Sequence, residues 1–184
     1  MSALLETYGP VFDELLSRPF AWPGEPGPET GPLLRLSRDE AFEHHALAEP
    51  ALADACVAGV YLRVGRWDDA FKHLDGDDSR EAHYWRGIAH RLQRDRAAAI
   101  GAFEKVGDHP IHPALLEAAG PEAGMSPFNE WERWQPGVFI ELFTESAGTD
   151  SDLERACRHV HAVEWRLLFD YSYRGAIGAP PPPR

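Results

Sequence analysis

The chain has 184 residues, 43% hydrophobic and 26% charged, with 18 Lys and Arg set against 30 Asp and Glu for a formal net charge of -12. That length and balance suit one globular domain with a sizeable core, and so acidic a surface opposes the sequence-independent grip on phosphate that nucleic-acid or anionic-membrane binding requires. No run of about 18 uncharged apolar residues is present to span a bilayer, and Glu6 interrupts an N-terminus that lacks a basic flank, so the reading is a cytoplasmic protein.

Residues 2–17 carry an apolar stripe of Leu4, Leu5, Tyr8, Val11, Phe12, Leu15 and Leu16, which predicts a helix broken or kinked at Pro10. Residues 19–32, PFAWPGEPGPETGP, hold five prolines and three glycines and read as a long loop that Phe20 and Trp22 dock onto the core. Ser37 followed by Glu40 is a capping-box pattern and opens a predicted helix to about Ala48.

From Pro50 the spacing sharpens. Ala53, Cys56, Val57, Val60, Tyr61 and Val64 mark one helical face, and Gly65 supplies the left-handed stop. Trp67, Ala70, Phe71 and Leu74 resume the period at once, which predicts an antiparallel hairpin. Trp85, Ile88, Ala89 and Leu92, then Ala99, Ile100 and Phe103, repeat the arrangement. Ala58 falls on Gly87, Gly65 on Arg94 and Ala70 on Ala99, a constant shift of 29 residues. These two units resemble the tetratricopeptide repeat family at Ala58, Tyr61, Ala70 and Leu74 and again at Gly87, His90, Ala99 and Phe103. They depart from it at Asp54, His83, Val57, Arg86 and Arg94, and their period is about five residues shorter than the family's 34. The resemblance covers about residues 50–110. It implies hairpins stacked as a short right-handed superhelix inside an all-α fold, with flanking helices over both ends, and it implies binding rather than a reaction.

Beyond Pro110 the readings are local: a short helix after Pro113, an aromatic stretch from Asn129 in which Pro136 starts or divides helices, and a last helix from about Ser151 to Tyr171. Residues 175–184 read as an exposed proline-rich tail. The whole is one domain: N-terminal helices and loop over 1–49, the hairpins over 50–110 and C-terminal helices over 111–174.

Nine histidines invite a metal reading, yet no HExxH pair or repeated ExxH pattern occurs, and His161 with Glu164 is a single i, i+3 pair. Cys56 and Cys157 stand apart in helical patterns as small buried hydrophobes. Neither a nucleophile elbow nor a phosphate-cradling glycine loop is found, so no catalytic or metal-ligating set is assigned and no cofactor is called for. The candidate binding residues are Arg63, Tyr84, Ile88 and Arg91, which the repeat alignment places toward the concave side. To these are added Trp131, Trp134, Trp165 and Arg166, where aromatic and cationic groups interleave. The expectation is a non-catalytic module for a protein or peptide partner; a metal-dependent enzyme or small-ligand binder using the histidines and tryptophans is the alternative.

Overall fold

The computed structural model describes residues 7–25, 35–119 and 127–180, and among these it contains nine α-helices and no strand. The fold class is all-α. Helix α1 (Pro10–Leu16) begins at Pro10 instead of being broken by it, because the first helical position has no intrahelical partner for the N–H that proline lacks. Residues 2–6 of the predicted first helix lie outside the described residues.

Helix α2 (Arg38–Ala41) starts with the expected capping box: the Ser37 side chain accepts the Glu40 N–H, and the Ser37 N–H donates to the Glu40 carboxylate at 3.0 Å. It ends far short of the predicted Ala48. Phe42 leaves the helix to bury its ring between Phe12 and Tyr173, with centroids at 5.2 and 5.4 Å, and Ala48 donates its N–H to the Ala176 carbonyl at 2.7 Å. Long-range packing overrides local periodicity here.

Helices α3 (Pro50–Arg63), α4 (Trp67–Leu74), α5 (Arg80–Leu92) and α6 (Arg96–Val106) form the two hairpins. Their turns share one backbone geometry. Gly65 has φ 79°, with the Arg66 N–H donating to Tyr61 O at 2.9 Å and the Gly65 N–H to Leu62 O at 3.2 Å. At the same register in the second hairpin Arg94 has φ 61°, Asp95 N–H donates to His90 O at 2.9 Å and Arg94 N–H to Arg91 O at 3.1 Å. Both are left-handed helix stops, and only the first has the residue that adopts this conformation without steric cost. Arg94→Gly therefore raises stability by about 0.5–1 kcal/mol after the greater freedom of glycine in the unfolded chain is set against the relieved strain. Differential scanning calorimetry reads this as a rise in Tm of about 1–4 °C.

Close packing explains the small residues at the crossings. A Cβ on Gly87 would lie 2.6 Å from the Phe103 ring, and one on Gly59 would lie 2.8 Å from that of Trp85. Helix α4 stops early because Arg86 reaches across from α5 and donates through Nη2 to the carbonyls of Leu74 and Asp77. That guanidinium satisfies the orphan acceptors of the helix end and turns the chain.

Helix α7 (His112–Ala119) and a 3-10 turn (Pro127–Glu130) lead to α8 (Pro136–Ser146), again with proline in its first turn. Helix α9 (Asp152–Ala176) has 25 residues, about 37 Å at the standard rise, and is capped by Ser151, whose hydroxyl accepts the Glu154 N–H at 3.1 Å. It continues past the predicted stop at Tyr171, taking in Gly175 and Ala176 that the sequence had placed in the tail, because Gly175 is where Leu52 of α3 presses against it. Helix α9 packs on α3, α7 and α8 and ties the molecule together. The Trp165 Nε1–H donates to the Gly59 carbonyl at 2.9 Å, and Tyr8 OH donates to Asp170 Oδ1 at 2.9 Å. No described helix is long and apolar enough to cross a membrane.

Candidate functional site

The face that α3 and α5 share is covered by α9, so most of the residues singled out in the sequence lie inside the protein. Tyr84, Ile88 and Arg91 have 0% exposure and Trp165 has 1%. Arg63 is half-buried, and its guanidinium donates to the carbonyls of Leu16 and Arg18 at 2.9 and 2.7 Å. Trp134 is buried and Trp131 half-buried, in an aromatic cluster with Phe128 and Phe139. Arg166 is exposed. Seven of the eight are thus buried or half-buried against the core, and Arg166 alone of them is exposed.

At the centre of that junction is a polar cluster. Arg91 donates through Nη2 to His161 Nδ1 at 2.8 Å and to Glu164 Oε2, while Tyr84 OH donates to Glu164 Oε1 at 3.0 Å. Because Nδ1 accepts, His161 is the neutral tautomer with its proton on Nε2. Burial, reinforced by the charges of Arg91 and Arg63, holds its pKa well below the usual imidazole value. Burial and then the Glu164 charge push the Tyr84 phenol well above its ordinary range. The remaining Arg91 nitrogens, Nε and Nη1, have no hydrogen-bond acceptor; the guanidinium instead lies over the rings of Phe139, Phe143 and Phe103 at 4.5, 5.2 and 5.8 Å. Every charge here is matched and shut away from water. The arrangement fixes how α9 sits on α5.

A second buried group adjoins it. The His109 ring stacks edge-on to Tyr84 and Tyr171 at 5.0 and 4.9 Å, and its backbone N–H donates to His112 Nδ1 at 3.2 Å. Burial chiefly, with the neighbouring His109, lowers His112 to about 4. Among the described residues no three His, Cys, Asp or Glu side chains come together as a metal site. Cys56 and Cys157 are both buried and unpaired, as the sequence suggested.

The open feature lies on the opposite side of α5. A groove of about 640 Å³ runs between the turn after α4 and the outer face of α6, with His83, Arg86 and His90 along its floor. It exists because α4 has 8 residues where α6 has 11, which leaves the layer of second helices one turn short beside Gly101, Ala102 and Lys105. A Cβ on Gly101 would meet nothing within 4 Å, so no internal contact demands glycine at this mid-helix position, where it weakens the helix. His83 Nε2 and Asp78 Oδ1, 2.7 Å apart, close one end, and the Phe71 ring lies 5.0 Å from that of His90 at the other. The sequence carried two signals for this groove: the five-residue shortfall in the repeat and the glycine in AIGAF.

No protein family, curated protein or solved structure matches the chain.

Proposed function

We propose that the chain is a non-catalytic interaction module, in which two tetratricopeptide-like hairpins, the beginning of a right-handed superhelix, hold a short helical segment of a protein partner. The observation that carries this reading is the groove beside Gly101. With the α3–α5 face filled by α9, it is a recess the size of a missing helical turn, and its α6 wall presents Ala98, Gly101 and Ala102, small enough for a second backbone to come close. Asp78 at one end and Lys105 on the α6 wall are both exposed and of opposite sign, so they orient a segment carrying a basic and an acidic side chain.

Gly101→Trp tests it. The new side chain projects into open space, so the fold is retained while the recess is filled. Wild-type protein immobilised in a lysate of its own organism retains a defined protein that the variant releases, at least tenfold less being bound. Retention of the same proteins in the same amounts by both would refute the groove as the binding surface.

A further inference from the structure

Residues 19–25, PFAWPGE, leave α1 and cross the surface between the end of α3 and α9 without forming helix or strand. What holds them is recognition of the kind made between separate chains. Phe20 stacks on the Arg63 guanidinium at 4.0 Å and Trp22 on that of Arg158 at 4.9 Å. Both rings meet the His161 imidazole edge-on, at 5.5 and 5.3 Å. Between them Ala21 points inward: its N–H donates to the Arg63 carbonyl at 2.8 Å, and its methyl fits only because residue 65 is glycine, where a Cβ would come within 2.9 Å. Glu25 closes the contact on Arg158 at 2.7 Å.

The pattern is two aromatic anchors around a small residue, one main-chain hydrogen bond, flanking prolines that restrict the free peptide, and an acid facing an arginine. Each element is a device of extended-peptide recognition. Charge favours the same conclusion, since a chain of net charge -12 gathers Arg63 and Arg158 at this one groove. The fit is looser than in the core. Phe20 and Trp22 stay half-buried, and a slot of about 20 Å³ remains under Trp22 and Pro23 beside Phe143 and Cys157. Few contacts of this kind place a segment at the low end of local stability.

We propose that residues 19–25 are an intramolecular ligand, occupying a peptide groove between α3, α8 and α9 that also takes partner segments of the form aromatic–small–aromatic–proline followed by an acid. While the segment is docked it competes at high effective concentration, so the groove opens to a partner only in the fraction of molecules in which the segment has lifted. This site is on the other side of α5 from the groove beside Gly101 and stands or falls separately.

A fluorescein-labelled peptide with the sequence SRPFAWPGE, titrated into the full chain and followed by anisotropy, tests it. The double variant Phe20→Ala, Trp22→Ala vacates the groove and binds the peptide at least tenfold more tightly than the wild type does. Adding Arg158→Ala weakens that binding at least fivefold, and a scrambled peptide does not bind. Equal or absent binding by wild type and double variant, with helical content and cooperative unfolding intact, overturns the proposal. Hydrogen exchange on the wild type decides the matter even if the double variant fails to fold. The Ala21 amide exchanges through local opening at least 100-fold faster than the Trp165 indole N–H; equal protection of the two shows that the segment never lifts, and the proposal fails.

Discussion

Replacing Glu164 by Gln destabilises the protein by about 3–5 kcal/mol, because it breaks a fully buried ion pair by removing one partner. The carboxylate is 0% exposed and is the anionic partner of an Arg91 guanidinium that is also 0% exposed. Taking both ions out of water is repaid only by their mutual attraction and by the bonds from Tyr84 OH and to His161 Nδ1. Glutamine keeps the shape and removes the charge, which strands a buried cation among phenyl rings. The double variant Arg91→Met, Glu164→Gln recovers a large share of the loss, because with neither ion present nothing remains to be desolvated. Guanidinium denaturation of the four species, with unchanged m-values, measures the coupling. An additive double variant would show that the pair is not interacting and that the cluster does not hold α9 in place.

Acid comes second. In the unfolded chain an imidazole takes up its proton near pH 6.5, whereas burial delays this in the folded protein, to about 4 for His112 and well below the usual imidazole value for His161. The sign follows from proton counting. Above about pH 6.5 both states hold these rings neutral and stability is independent of them. As the pH falls from 6.5 toward 4 the unfolded state binds protons that the folded state refuses, so stability falls, and below 4 the His112 share is fully lost. That share is about 3 kcal/mol, most of it lost by pH 4.5, and His109, also lowered by burial, adds to it in the same direction. The carboxylates act in a different window: Glu154, held at about 2 by the Gly148 N–H and Arg158, loses its contribution only between the ordinary carboxylate range and pH 2. His112→Asn keeps an acceptor for the His109 N–H and removes the titration. Its unfolding free energy falls by about 2–3 kcal/mol less than the wild type's between pH 7.5 and 4.5; parallel curves for the two proteins would rule out His112 as a source of the acid sensitivity.

Much of the fold is legible in the residues themselves. The hairpins follow from apolar spacing interrupted at Gly65, and the shift of 29 residues holds in backbone detail even where Arg94 replaces the glycine, because Asp95 N–H to His90 O reproduces Arg66 N–H to Tyr61 O. Phe20 and Trp22 dock their segment as two aromatics in a proline-rich stretch suggest, while residues 26–32 of that loop lie outside the described residues. What local pattern does not encode is which face meets which. The α9 stripe was visible, but that it lies over Tyr84, Ile88 and Arg91 depends on pairings such as Trp165 with Gly59, 106 residues apart. The i, i+3 pair of His161 and Glu164 is visible too, but as a single pair it reads as no ligand set; only Arg91, from a helix 70 residues earlier, reveals it as half of a neutralised interior cluster. Arg86, which ends α4 and so creates the groove beside Gly101, gives no sequence signal, since its targets are two carbonyl oxygens.

Because the helix that closes the interior follows both hairpins and is the last among the described residues, the order of synthesis matters. A ribosome that has extruded both hairpins but not residues 152–176 holds a nascent chain whose Tyr84, Trp85 and Ile88 surface is bare and whose Arg91 has no counter-ion. The native packing becomes available only once residues 152–176 have been made, so until then the hairpins depend on whatever shields a newly made apolar face from its neighbours.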